Sequence, residues 1–299
     1  MEKNPKNRNL GVKNHKCRIC GEEGLFQSYL VKEMMKGTKD EFEYFVCPKC
    51  LCLQIAEIPS NLGDYYGNDY YSMSDIKDRN TVFESPVVDS TKILDVGCGN
   101  GGWLYEVAYS GHDNLYGCDP FIEKDIHYGD RVFIRKCDIT DMDGDGTFDA
   151  VRMGDSFEHV TNPGEVLMKA ARLIKDTGII ELILPTYPNI AFDLFETHWY
   201  QLDAPRHIFL HSIVSLQYLA SQCGLEIAKY TYDSNNSQII RSFFYSKGVS
   251  YNEMTNELIL EYFDAAEIEK IDEMVEEANM KNMGDHMQVL LIKTGAKQS

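Results

Sequence analysis

The chain has 299 residues and a mass of 34.2 kDa, which suits one large domain or one domain with a small appendage. Hydrophobic residues make up 43% and charged residues 25%, so a sizeable core can form and wholesale disorder is excluded. The 29 basic and 47 acidic residues sum to −18, which argues against nucleic acid or an anionic membrane surface as the main partner.

Two cysteine pairs stand near the start of the chain, Cys17 with Cys20 and Cys47 with Cys50. A CxxC turn presents two thiolates as two corners of a tetrahedron, so two such turns complete a structural zinc site with no open position. Free buried thiols or a redox pair are the alternatives. The pattern predicts a zinc-ribbon-like module over residues 1–60, with a basic tail that is either solvated or recruits RNA.

A tyrosine-rich segment over residues 61–90 connects this module to the rest of the chain, with tyrosines in adjacent pairs at 65–66 and 70–71. These rings could cover a bound ligand or simply attach the module to the main domain, and both interpretations stay open. We count Tyr70 and Tyr71 as candidate substrate residues.

The main domain, residues 91–299, alternates strand and helix patterns, and its first strand runs directly into the glycine-rich loop Gly97-Cys-Gly-Asn-Gly101 and a helix. Glycines in this context let the backbone approach a ligand at a helix N-terminus. The pattern predicts an α/β fold with a doubly wound, Rossmann-like sheet of seven strands. The predicted strands cover residues 91–96, 115–118, 132–135, 148–153, 178–184, 225–232 and 286–293.

The motif ILDVGCGNG at residues 93–101 resembles that of the class I S-adenosylmethionine-dependent methyltransferases, and the resemblance extends over about 91–293. It implies S-adenosylmethionine as cofactor. Asp119, 24 residues after Asp95, matches the carboxylate that grips the ribose hydroxyls. Phe121 matches a ring on the adenine face, Asp138 the acceptor for the adenine amino group, and Ile139 a contact beside the ring. The loop residues expected at the methionyl part are Asp95, Gly97, Gly99 and Gly101.

The catalytic candidates are His159 and His207, because a hydroxyl acceptor needs a general base with a pKa near neutrality. Glu158 precedes His159 in a segment, Asp155 to His159, that resembles the acidic segment of ubiquinone-type O-methyltransferases, where a divalent cation can bind. We treat such a catalytic cation as the less favoured alternative. The insertion at 185–211 reads as a substrate lid, with Trp199, Tyr200 and Arg206 as candidate acceptor contacts.

The complete arrangement resembles bacterial methyltransferases that modify deoxysugars and surface polysaccharides, which implies O-methylation of a sugar or sugar nucleotide. Methylation of RNA or protein recruited through the zinc module, or C- or N-methylation in a deoxysugar or natural-product pathway, are the alternatives. Residues 250–284 predict an acidic helical insertion that is either a solvated face or a dimer contact. A polar start and the lack of a run of about 20 apolar residues predict a cytoplasmic protein.

Overall fold

The computed structural model describes residues 9–66 and 87–295. Those described residues divide into two compact units: 9–65, 185–218 and 231–288 form the first, and 66, 87–184, 219–230 and 289–295 form the second. Each unit is built around one β-sheet. The strands are β1 (Asn9–Lys16), β2 (Glu23–Lys32), β3 (Glu41–Val46), β4 (Leu53–Ile55), β5 (Ile93–Val96), β6 (Leu115–Cys118), β7 (Ile126–Tyr128), β8 (Val132–Arg135), β9 (Phe148–Gly154), β10 (Ile174–Pro185), β11 (Phe209–Leu210), β12 (Leu225–Tyr232) and β13 (His286–Lys293).

Helices follow the strands where the apolar spacing changes from two to three or four residues. Pro163 begins the second helix, where a missing backbone N–H costs no hydrogen bond. Asp264 and Glu267 form a capping box at the start of the last helix. The helices are α1 (Gly102–Tyr109), α2 (Pro163–Leu173), α3 (Ile190–Phe195), α4 (Ile213–Gln222), α5 (Ser237–Ser246), α6 (Asn256–Tyr262) and α7 (Ala265–Met280).

The first unit contains a five-stranded sheet in the order β1-β2-β3-β4-β11. Its last strand comes from the insertion predicted as a substrate lid, and Phe209 and Leu210 pair antiparallel with Gln54 and Leu53 of β4. The cysteine module therefore belongs to a unit larger than the predicted 1–60. The physical reason is that β4 has only three residues, all buried, and needs a partner on both edges.

Over residues 9–66 and 87–295, the second sheet has eight strands, in the order β12-β13-β10-β9-β5-β6-β8-β7, so the predicted count of seven is wrong. The additional strand is β7, which pairs antiparallel with β8 at the edge. Three residues are too few to give a periodic signal, which is why the sequence did not reveal it. The pairs β5–β6, β5–β9, β6–β8 and β9–β10 are parallel, as the alternating pattern predicted.

Leu104 and Ala108 of α1 pack on Leu115, Val132 and Ile134 in a fully buried cluster of the second unit. This packing fixes the helix that follows the glycine loop against β6 and β8. The predicted acidic insertion contains α6 and α7, which bury few side chains. Among the described helices, none combines the length and the apolar character that crossing a membrane requires.

Candidate functional site

The glycine loop joins β5 to α1 in the second unit, as predicted. Gly97, Gly99 and Gly101 all have positive φ, at 72°, 52° and 77°. A Cβ on Gly97 would stand 2.6 Å from Cβ of Ser156, and one on Gly101 would stand 2.2 Å from Cδ1 of Ile134. Only glycine suits both the backbone conformation and the close packing, so the loop can take a single tight path at the helix N-terminus.

Asp119 lies at the end of β6 with only 5% of its surface exposed. Its two carboxylate oxygens accept from the backbone N–H groups of Gly99, at 2.9 Å, and of Phe121, at 2.8 Å. Each carboxylate oxygen has a further lone pair, so Asp119 can also accept from a pair of ribose hydroxyls. These bonds tie the carboxylate to the glycine loop and fit the cofactor that the resemblance implies.

Three rings meet at the carboxyl edge of the same sheet. Phe121 is 76% exposed, and the Tyr66 ring stacks on it with centroids 6.2 Å apart and planes 13° apart. The hydroxyl of Tyr66 lies 3.1 Å from Nδ1 of His159, and the two rings meet edge to face. Phe121 and His159 were predicted from the sequence, whereas Tyr66 was not selected as a site residue.

Glu158 and His159 follow β9 in a single turn of 3-10 helix over Phe157–His159. Glu158 is buried, and its Oε1 lies 3.8 Å from Nε2 of His159, whose side chain is 15% exposed. A buried carboxylate at this distance stabilises a positive charge on the imidazole. The pair therefore has the form of a general base with an adjacent stabilising carboxylate.

Asp95, predicted as a loop residue, is buried at the end of β5 and forms an ion pair with Nη1 of Arg152 at 3.1 Å. The guanidinium of Arg152 also stands over the Trp103 ring, 4.3 Å from its centroid. Burial raises the pKa of Asp95 to about 6, and Arg152 opposes this shift. Like Tyr66, Arg152 was not predicted as a site residue, because no sequence motif marks the residue that will pair with the carboxylate of Asp95.

Asp138 is exposed and accepts from the backbone N–H and the hydroxyl of Thr140, at 2.9 and 2.8 Å. It thereby caps the short 3-10 turn Ile139–Asp141, and Ile139 itself is buried. The carboxylate keeps a second oxygen for another donor. The predicted adenine contacts of Asp138 and Ile139 stay predictions.

The structure does not support a substrate contact for Arg206, which is fully buried in the first unit. Its guanidinium binds both carboxylate oxygens of Asp203, at 2.9 and 2.5 Å, Oε1 of Glu33 at 2.9 Å, and the backbone carbonyl of Tyr65 at 2.9 Å. A buried guanidinium with two carboxylates is a structural ion cluster, because removing one partner would leave a charge uncompensated. Arg206 thus holds its own unit together.

His207 belongs to the same unit and is also buried. Its Nδ1–H donates to the carbonyl of Gln201 at 2.7 Å, and its Nε2 lies 3.8 Å from Oδ2 of Asp203. The carbonyl can only accept, so this bond fixes the protonated nitrogen. Its predicted role as base stays a prediction.

Trp199 was predicted to stack on a sugar ring, but only 1% of its surface is exposed. Its indole Nε1–H donates to Oδ2 of Asp285 at 2.8 Å, and Phe192 meets its ring edge to face. Trp199 is therefore a core residue. Tyr200 is partly exposed, and the guanidinium of Arg241 stands 5.2 Å from its ring centroid. The predicted contacts Tyr70 and Tyr71 lie outside the described residues.

The four predicted zinc ligands come together in the first unit, with all four sulfur atoms within 4.8 Å of one another. The Sγ atoms of Cys17 and Cys50, and those of Cys20 and Cys47, are 3.6 Å apart. Tetrahedral zinc with bonds of about 2.3 Å separates its sulfur ligands by about 3.8 Å. The cluster fits a structural metal ion.

Both CxxC turns have the same backbone form. The carbonyls of Cys17 and Cys47 accept from the N–H groups of Gly21 and Leu51, which both have positive φ, at 74° and 59°. Leucine rarely adopts this conformation, and strain of this kind is held where the surrounding structure requires it. The second turn is thus kept in the same backbone form as the first, against a local preference. Burial raises the pKa of the adjacent Cys52, which stays a neutral thiol of the core.

Comparison with known proteins supports a methyltransferase core, as the motif at residues 93–101 predicted. A family model described as "Methyltransferase domain" matches residues 68–230. The ubiquinone biosynthesis O-methyltransferase of Dechloromonas aromatica (strain RCB) is 36% identical over 100 residues, which cover 30% of this chain and 43% of the relative. The chain thus spans less than half the length of this curated relative.

Two solved structures are similar to the chain at low identity, with TM-scores below 0.5. The YcgJ protein of Bacillus subtilis is 16% identical to this chain. The match covers 71% of this chain and 95% of that chain, with a TM-score of 0.43. The 1,6-didemethyltoxoflavin-N1-methyltransferase of Burkholderia thailandensis, solved with bound 1,6-didemethyltoxoflavin and S-adenosylhomocysteine, is 12% identical. The match covers 69% of this chain and 71% of that chain, with a TM-score of 0.39.

Proposed function

The chain belongs to the methyltransferase domain family, and on this basis we propose that it uses S-adenosylmethionine to O-methylate a small hydroxyl acceptor, such as a sugar or sugar nucleotide. Its core is that of an S-adenosylmethionine-dependent methyltransferase. The observation that carries the finer proposal is the partly exposed His159 ring beside Tyr66, at the sheet edge that also holds Asp119. Ligands of open α/β sheets bind at this edge.

The cofactor, when bound, supplies a methyl group that its sulfonium charge already activates. The chain has to hold the cofactor, orient the acceptor and remove one proton. In the proposal, the loop of Gly97, Gly99 and Gly101 receives the methionyl part, while Asp119 accepts from the ribose hydroxyls. Asp95 keeps the loop in place through Arg152.

His159 is the proposed base. In the proposed arrangement, Nδ1–H donates to the hydroxyl oxygen of Tyr66, 3.1 Å away, and Nε2 takes the proton of the acceptor hydroxyl. Glu158 stabilises the imidazolium that results, because its buried carboxylate faces Nε2. A general base of this kind contributes about 10²–10⁴-fold to a rate. Tyr200, partly exposed in the insertion, stays a proposed acceptor contact.

The four-cysteine cluster is proposed to hold a structural zinc ion through Cys17, Cys20, Cys47 and Cys50. It has no position for a substrate, so its contribution is to the stability of the first unit. A four-thiolate metal site needs its cysteines reduced, and on that ground we propose a cytoplasmic location.

Methylation of RNA or protein is the second candidate, since a zinc module can recruit a macromolecule. The net charge of −18 weighs against RNA, because phosphate binding needs a basic face. Deleting the module would be a poor test, because β4 pairs with β11 from the far part of the same unit. Offering the acceptors directly is the better approach.

The experiment measures methyl transfer from labelled S-adenosylmethionine to three acceptor pools: sugar nucleotides, bulk RNA and unfolded protein. We expect turnover with the sugar nucleotides and a methyl ether in the product by NMR. Label that enters RNA or protein instead, or a new C–methyl or N–methyl bond, would contradict the proposal.

The matched variants are His159→Gln and His127→Gln. His127 lies on the edge strand β7 and is exposed, so its substitution tests for a general effect of losing a histidine. We expect His159→Gln to lower kcat by about 10²-fold or more with cofactor affinity unchanged. A His159→Gln protein as active as the His127→Gln protein would exclude His159 as the base.

A further inference from the structure

The side chain of Gln54 is fully buried beside the four-cysteine cluster, and both ends of its amide are bonded. Its Nε2–H donates to Sγ of Cys17 at 3.1 Å, and its Oε1 accepts from the backbone N–H of Arg18 at 3.1 Å. Arg18 is the residue that follows Cys17 in the first CxxC turn. Gln54 therefore contacts both a sulfur of the cluster and the backbone that positions it.

Gln54 also lies at the centre of β4, where it pairs with Phe209 of β11. The guanidinium of Arg18 stands 5.1 Å from the centroid of the Phe209 ring and donates to the carbonyls of Ile55 and Ala56. One short strand thus connects the cysteine turn on one side to the insertion on the other. A buried residue that makes both connections can transmit order between them.

Three more hydrogen bonds hold residues 207–212 to the cysteine module. The Tyr44 hydroxyl donates to the carbonyl of His207 at 2.8 Å, and the N–H of Ile55 donates to the carbonyl of Ile208 at 3.1 Å. The hydroxyl of Ser212 donates to the carbonyl of Cys50, itself a proposed metal ligand, at 2.5 Å. The segment has only the two-residue β11 as regular structure, so these bonds account for much of its order.

We propose that Gln54 is a positioning residue that couples the metal-bound state of the four-cysteine cluster to the order of residues 207–212. The inference rests on the metal site of the proposed function. A metal-bound sulfur carries negative charge and is a strong acceptor for the buried Gln54 amide. When the metal is absent, that bond weakens, and β4, the strand on which β11 pairs, loses one of the contacts that hold it to the first cysteine turn.

The test is hydrogen–deuterium exchange on the full chain, zinc-loaded and chelator-stripped, with Gln54→Glu and Gln27→Glu as matched variants. Ionised glutamate at 54 still accepts from the Arg18 N–H, but it loses the donor to Cys17 and places a carboxylate oxygen beside that sulfur. Gln27 lies on β2, and its amide bonds Asn9, Gly11 and Ser28, away from the cluster. We expect stripping to accelerate exchange in 204–215 on the order of tenfold, while β10 is unaffected.

In Gln54→Glu we expect zinc affinity to fall about 10–100-fold in a chelator competition, and exchange in 204–215 to stay fast at saturating zinc. Gln27→Glu should match the natural chain in both measurements. If the exchange rate of residues 204–215 is the same in the zinc-loaded and the chelator-stripped chain, the coupling is overturned. If zinc-saturated Gln54→Glu shows full protection of these residues, the role of Gln54 is overturned. If that variant does not fold, the loaded and stripped natural chain still decides the coupling.

Failure of the proposed function is separable from failure of this inference. A natural chain that binds no zinc in the competition removes the metal site itself. A chain that binds zinc and shows the exchange effect but transfers no methyl group to any acceptor leaves the coupling intact and removes only the acceptor proposal.

Discussion

The indole N–H of Trp199 donates to the carboxylate of Asp285 at 2.8 Å, and both side chains are buried in the first unit. The backbone N–H of Asp285 in turn donates to the Ser234 hydroxyl at 2.6 Å. Trp199, which the sequence suggested as a stacking surface for the substrate, thus serves as the hydrogen-bond donor to the buried carboxylate of Asp285. The pair connects the insertion at 185–211 with the loop before β13.

Asp285→Asn should change the pH dependence of stability. Burial raises the pKa of Asp285 to about 6, above its ordinary value of 3.8, although the Trp199 bond opposes the shift. The folded state therefore holds this proton more tightly than the unfolded state. The contribution of Asp285 to stability is present below pH 4 and is lost as the pH rises from about 4 to about 6, by at most about 1.4 kcal/mol per pH unit.

Asparagine keeps an oxygen for the Trp199 N–H but has no such titration. Urea unfolding between pH 4 and 7 should show the natural chain losing stability relative to Asp285→Asn over that window. Asp272→Asn, at an exposed position of α7, should show no such difference. A constant difference between the natural chain and Asp285→Asn at every pH would contradict the prediction.

Gly101→Ala should weaken cofactor binding, and Gly146→Ala should not. Both glycines have positive φ, at 77° and 66°, so alanine introduces similar backbone strain of about 1–3 kcal/mol at each. A Cβ at 146 has no atom within 4 Å, whereas one at 101 would overlap Ile134. Thermal unfolding measures the shared strain. Calorimetry should show S-adenosylmethionine affinity reduced at least tenfold in Gly101→Ala alone.

Asp119→Asn should weaken S-adenosylmethionine binding by about 1.5–3 kcal/mol, the range for hydrogen bonds to a charged group. The amide has one oxygen for the two backbone N–H donors of Gly99 and Phe121, and it cannot accept fully from the ribose hydroxyls. Calorimetric titration provides the dissociation constant. Asp143→Asn, on an exposed loop, is the control. Equal affinities in the two variants would remove Asp119 from the cofactor site.

Tyr66→Phe should lower kcat by about tenfold with little change in cofactor affinity. The substitution keeps the ring that stacks on Phe121 but removes the hydroxyl 3.1 Å from Nδ1 of His159. Without this partner the imidazole loses a bond that holds its ring orientation. Steady-state kinetics with the best acceptor measures the effect. Unchanged kcat would mean that the Tyr66 hydroxyl does not orient the base.

The loop at 97–101, Asp119 and the four cysteines were all found from local spacing, because each belongs to a short motif in which neighbouring residues determine the geometry. The seven longer strands were found for the same reason: their apolar runs report burial directly. The three-residue β7 and the two-residue β11 have no such signal. Their pairing depends on strands distant in the chain.

The sequence by itself determined the methyltransferase core and the presence of a four-cysteine cluster, since both are written in contiguous residues. Only the tertiary structure decided which polar and aromatic side chains face inward. Trp199 and Arg206 are residue types that often line substrate sites, but here both are buried. Trp199 donates to Asp285, and Arg206 donates to Asp203 and Glu33. Tyr66 meets His159 across 93 residues, and Gln54 meets Phe209 across 155. Such partners are set by packing of the folded chain, and no local pattern specifies them.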